Sequence, residues 1–162
     1  MKRNRPIAIA LMVLAIVASL TAAVPAGAQV ALSTGQTVYL PLYSHVYFGD
    51  RPREFNLTST AYIRNTDERK AITVTRVDYY SHDGKRLKSL IEAPLKIGPF
   101  SSKNFTIKES DTTGGSGASI IVHWTSEKPT NPPLVESVMI GAASTQGISF
   151  VCEGRVIEDS AP

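Results

Sequence analysis

From Thr37 to Ile157 the chain has no apolar stripe at helical spacing; Val, Ile, Thr, Tyr and Phe recur in short runs separated by turn residues. This constrains the fold more than any other feature, because side chains that alternate with a period of two belong to strands. The clearest case is Leu57 to Ile63. Leu57, Ala61 and Ile63 share one phase there, and Thr58, Thr60, Tyr62 and Arg64 take the other. One face is then core and the other is wet or covered by a neighbour. Runs near Thr37–Phe48, Phe55–Asn65, Ile72–Ser81, Arg86–Ile91, Ser102–Lys108, Ser119–Ser126, Val135–Gly141 and Ile148–Ile157 predict seven or eight strands. The expected fold is all-β, an antiparallel β-sandwich.

The connections have their own chemistry. Asn65-Thr66-Asp67 offers side chains that bond the nearby backbone and so favour a turn. Asp83-Gly84 accepts the positive φ of a tight hairpin. Proline lacks the amide donor, so Lys128 to Pro133 reads as an extended, solvated crossing and Pro41 as the mark of an edge strand.

The first 28 residues have the three parts of a secretory signal: Lys2, Arg3 and Arg5, the apolar run Ile7 to Leu20, and Ala26-Gly27-Ala28. Cleavage is expected before Gln29, the competing reading being an uncleaved membrane anchor. Residues 29–36 read as a flexible lead, 37–157 as one domain and 158–162 as a frayed tail. No cysteine follows the cleavage point to accept a lipid, so the expected product is periplasmic or secreted, not a lipoprotein, with no stable membrane insertion. Those three basic residues account for the whole net charge of +3, and the remainder is balanced at 14 basic and 14 acidic residues. A balanced chain gives no electrostatic case for nucleic acid or an anionic membrane as partner. Cys152 is the single cysteine, which excludes an internal disulfide. It shares the phase of Ile148 and Phe150 and reads as a buried, inert thiol.

The stretch from Glu109 to Trp124 looks most like chemistry. Gly114-Gly115-Ser116-Gly117 has the composition of a phosphate cradle or of the turn that carries a nucleophilic serine, but both need a following helix, and Ile120-Ile121-Val122 begins a β-branched run instead. What survives is an anion nest at Gly114 and Gly115, or Glu109 and Asp111 on a cation. The densest cluster of interacting residue types is Tyr39 to Phe55. Tyr39, Tyr43, His45 and Tyr47 are read as one strand face, followed by Asp50, Arg51 and Arg53 in a loop. Tyrosine and arginine carry much of the binding energy at interfaces. Candidate ligand- or partner-binding residues are therefore Tyr43, His45, Tyr47, Asp50, Arg51, Glu109, Asp111, Gly114 and Gly115.

No paired carboxylates, Ser/His/Asp order, zinc spacing or cofactor fingerprint stands out, so no catalytic or metal residue and no cofactor is assigned and an enzyme is not expected. The expected function is a noncatalytic envelope module for an unknown envelope protein or small ligand. The alternative is a metal-binding carrier or metal-dependent hydrolase that draws His45, His82 and His123 together with Asp50 or Asp111; a serine hydrolase at Ser116 is third.

Gly35 to Asp50, Ile63 to Lys85, Lys108 to Trp124 and Lys128 to Phe150 together resemble the exported bacterial proteins grouped as domain of unknown function 3124. The resemblance implies export, often with a lipid anchor, and no assigned activity; this chain departs from the lipid-anchored members in lacking the cysteine after its signal. More loosely, Ile63 to Asp67, the β run that follows and the Asp83-Gly84 turn are similar to strands B and C of bacterial immunoglobulin-like domains, which implies an immunoglobulin-like sandwich.

Overall fold

The structure, a computed structural model, describes residues 31–143 and 145–160. The signal assigned to residues 1–28 lies outside them. Twelve strands are present among the described residues: β1 Ser33–Pro41, β2 His45–Phe48, β3 Arg53–Asn56, β4 Thr58–Arg64, β5 Ile72–Tyr80, β6 Arg86–Ser89, β7 Leu95–Ile97, β8 Ser102–Ile107, β9 Ser119–Thr130, β10 Leu134–Ala143, β11 Gln146–Glu153 and β12 Arg155–Ser160. All their pairings are antiparallel. One sheet has the order β12-β1-β9-β5-β6, with β7 also on β5; the second has the order β11-β10-β4-β8; β2 and β3 form a separate hairpin. The fold is an antiparallel β-sandwich.

The core lies between the two sheets because each contributes one apolar phase. Val38 and Leu40 of β1, Ile72, Val74, Val77 and Tyr79 of β5, and Ile120, Val122 and Trp124 of β9 meet Ala61, Ile63, Ile107 and Val135 of the second sheet. Removing each large side chain from water contributes roughly 2 kcal/mol. The alternation read in the sequence at Leu57 to Ile63 is present, with Ser59 also on the inner face. Its hydroxyl donates to the Tyr43 carbonyl, which makes a polar residue tolerable there.

The count of seven or eight strands is corrected to twelve. The chain passes from one sheet to another inside three of the expected runs. Leu42 to Ser44 separates β1 from β2, Leu57 separates β3 from β4, and Gly154 separates β11 from β12. The three-residue β7 was too short to show a period. Residues 33–36, expected to be flexible, belong to β1, where Ser33 and Gln36 are buried. Ser33 and Gln36 both donate to the Asp159 carboxylate, so residues 158–160 of the expected tail are strand too. The Lys128 to Pro133 crossing starts later than expected. β9 continues through a buried Thr130, and Lys70 donates to the Pro129 carbonyl. Nor is β1 an edge strand; Pro41 is accommodated because β12 pairs with β1 no further than Tyr39.

The immunoglobulin likeness is loose. β4 with β8 and β5 with β9 divide between the sheets as strands B, E and C, F do. In an immunoglobulin domain, however, the first strand lies beside B. Here β1 sits in the opposite sheet against β9, and β10 takes the place beside β4.

Candidate binding surface

After β1 the chain runs between the two sheets and is bonded to both. Leu42 and Ser44 donate backbone amides to Ala118 and Gly115, while the Pro41 carbonyl accepts from Ser137 and the Ser44 carbonyl from Leu57. This crossing splits the expected Tyr39, Tyr43, His45, Tyr47 face. Tyr39 stays in β1, partly exposed. Tyr43 is half-buried, its amide on the Met139 sulfur and its ring 6.4 Å from Phe150. Burial pushes its phenol pKa up. His45 and Tyr47 alone remain together, on the hairpin, with rings 5.1 Å apart edge to face.

The β2–β3 hairpin has two faces because its register sets His45 opposite Asn56, Val46 opposite Phe55, Tyr47 opposite Glu54 and Phe48 opposite Arg53. On one face Phe48 and Phe55 meet edge to face at 5.8 Å, and the Arg53 guanidinium lies 4.6 Å above the Phe48 ring. The Phe55 ring rests on Gly141 of β10, where any side chain would displace it. Between this face and the β10–β11 turn lies a groove of about 520 Å³ lined by Val46, Phe48, Phe55, Thr145, Gly147 and Ile148. Asp50 and Arg51 stand exposed in the hairpin turn beside it.

On the other face His45 is 6% exposed, and neither ring nitrogen has a hydrogen-bond partner among the described residues. The nearest carboxylate, Glu54, is 3.8 Å from Nε2, beyond hydrogen-bond reach. The other histidines are held apart. His82 Nε2 meets Asp83 at 2.9 Å, and His123 Nδ1 meets the Thr75 hydroxyl at 2.6 Å. Among the described residues, no three His, Cys, Asp or Glu side chains converge on a common metal position.

The glycine-rich loop is built into the fold. The Gly114 carbonyl accepts from His82 N and the Gly115 carbonyl from Ser44 N; both glycines are buried. Gly115 has φ +82°, and the His82 ring occupies the space a side chain there would need. His82 flanks Ser116 through contacts with Gly115 and Gly117, yet no hydrogen bond joins Ser116 to that imidazole among the described residues. Asp111 is engaged as well. The Lys88 ammonium at 2.7 Å and the Thr113 hydroxyl hold its carboxyl below the usual carboxylate range. Glu109 is exposed and lines a shallow hollow with Asn56, Lys108 and Ser110. The nine expected residues therefore fall into two groups, the hairpin and the glycine loop, with Tyr43 between the sheets.

Phe48, Arg53 and Phe55, which shape the groove, were not among them. The alternation of β2 could have separated Val46 and Phe48 from His45 and Tyr47. The packing against Gly141 of β10 and Ile148 of β11 that completes the groove has no local signal.

Residues 35–157 match the family described as "Protein of unknown function (DUF3124)". The chain belongs to that family. No curated protein matches it. Among solved structures it is similar to the protein in the crystal structure of Thermotoga maritima 1070, at 13% identity and a TM-score of 0.46, over 77% of this chain and 97% of that one. This family member has no helix, among the described residues, long and apolar enough to cross a membrane.

Proposed function

We propose that the protein is a noncatalytic binding module of the bacterial envelope. It is exported by a signal cleaved before Gln29 and engages an envelope protein or small ligand through the β2–β3 hairpin. The observation that carries this reading is the exposed Phe48, capped by Arg53 at the rim of the apolar groove. An aromatic ring and a guanidinium beside a concave apolar surface are the groups that supply most interface energy. Tyr47 extends the surface on the other face, and Asp50 and Arg51 border it.

The test is a thermal-shift screen of residues 31–162 against sugars, inorganic anions, divalent metals and cell-wall fragments, since a ligand that binds only the folded state raises its melting temperature. Phe48→Ala and Arg53→Ala should abolish any shift found while leaving the free protein within about 0.5 kcal/mol of the parent. A shift that survives both substitutions places the ligand elsewhere. One given by a divalent metal and lost in His45→Ala favours the metal reading instead.

A further inference from the structure

We propose that β11 is a pairing edge for a second copy of this chain, the two β11 strands lying antiparallel across a two-fold axis and joining two four-stranded sheets into one of eight. β11 ends its sheet. It is eight residues long and pairs with β10 without a register shift, from Glu153 opposite Glu136 to Gln146 opposite Ala143. The strand contains no proline and one charge, Glu153, while Val151 is 57% and Ile148 39% exposed. The outward phase of Val151 continues across the sheet as Val138 and the exposed Ile140, whereas Ile148, opposite Gly141, is on the groove side.

Exposed edges invite pairing, and folds block it with lysine, shortness, bulges or charge. The other three sheet ends carry such devices. β6 is four residues long and contains Arg86 and Lys88. β8 exposes Lys103. β12 bears Arg155, Glu158 and Asp159, and its register with β1 shifts between Thr37 and Val38. β11 is eight residues long, contains no lysine and has no register shift, and its single charge, Glu153, sits at one end.

The strand is also its own complement, as a two-fold interface requires. With Phe150 on the axis, Ser149 falls opposite the other copy's Val151, Ile148 opposite its Cys152 and Gly147 opposite its Glu153. Each pair sets a smaller residue against a larger one. The two Glu153 carboxylates lie at opposite ends of the ladder, each facing a glycine, so no like charges meet. Proline is absent, so each outward-pointing amide, every second one along the strand, is able to donate to the facing strand.

Light scattering on residues 31–162, the compact unit that contains the whole core, should give the mass of two chains in the upper micromolar range. Val151→Lys and Ile148→Lys should each return the mass of one chain with the melting transition retained. Alternate β11 amides of the parent should exchange more slowly as concentration rises. A single-chain mass throughout overturns the proposal, as does a two-chain mass that persists in both folded lysine variants. If a lysine variant fails to fold, the exchange measurement on the parent decides, and β11 amides indifferent to concentration overturn the proposal as well.

Discussion

The Ser44 hydroxyl meets the Tyr79 phenol at 2.9 Å, with both residues fully buried. Ser44 belongs to the crossing between the sheets and Tyr79 to β5, so this bond fixes the start of the hairpin to the first sheet. Tyr79→Phe leaves a buried hydroxyl unpaired and should cost about 1–2 kcal/mol in denaturant unfolding. Burial pushes the phenol pKa up, so the folded state favours the protonated form. The resulting stability is complete below the ordinary tyrosine pKa of about 10 and is lost as pH rises through the higher folded value. The alkaline limb of the stability profile should therefore flatten in Tyr79→Phe; an unchanged limb would exclude Tyr79 as its source.

Asp67 should govern the acid limb. Its carboxylate accepts from the Thr130 hydroxyl at 2.6 Å and from the amides of Arg69 and Lys70 at 2.9 Å each, with Asn131 N at 3.4 Å. The Thr130 bond first, and the amides with it, hold its pKa well below the usual carboxylate range. Stability from a lowered pKa is present above the unfolded value of about 4 and disappears as pH falls below it. Asp67→Ala should cost about 2 kcal/mol at neutral pH, from the loss of bonds to a charged group, and should remove most of the dependence on pH below about 4. Equal acid slopes for the two proteins would sink the idea.

Gly154 is where the chain leaves one sheet for the other. Its amide donates to the Val135 carbonyl at 2.8 Å, and a β-carbon there would stand 2.7 Å from Val38 Cγ1 and 2.9 Å from the Val135 oxygen. Backbone cannot yield as a flexible side chain does, so Gly154→Ala should destabilise by about 1–3 kcal/mol. Chemical denaturation that shows less than half a kilocalorie would mean the crossing relaxes freely.

The glycine loop separates structure from chemistry at adjacent positions. Gly115→Ala forces a β-carbon into the left-handed region and into the His82 ring, and should cost at least about 1–2 kcal/mol. Ser116→Ala, half-exposed and without a hydrogen bond to His82, should stay within about 0.5 kcal/mol. A fluorophosphonate probe that labels the parent and not Ser116→Ala would revive the serine hydrolase reading.

The sequence by itself determined the class of structure and much of its local geometry. β-Branched and aromatic runs with a period of two specify strands, and the alternation at Leu57 to Ile63 names the face of β4 that enters the core. Asn65 Oδ1 accepts from Asp67 N at 3.0 Å, and Gly84 has φ +76°, as turn chemistry alone requires. The absence of a helix after Gly117 follows from Ile120-Ile121-Val122 in the same way. Tertiary structure decided where the chain changes layers, at Leu42–Ser44 and Gly154, because those breaks are set by which sheet the next residues join. It also decided which interacting residues meet. Tyr39, Tyr43 and His45 are close in sequence but separated by a crossing, whereas Phe48, Phe55 and Ile148 share a groove although about a hundred residues of chain lie between the last two. Period and turn chemistry are local and are written into neighbouring residues; strand order and register come from burying the apolar phases of both sheets at once, and that choice is made by the whole chain.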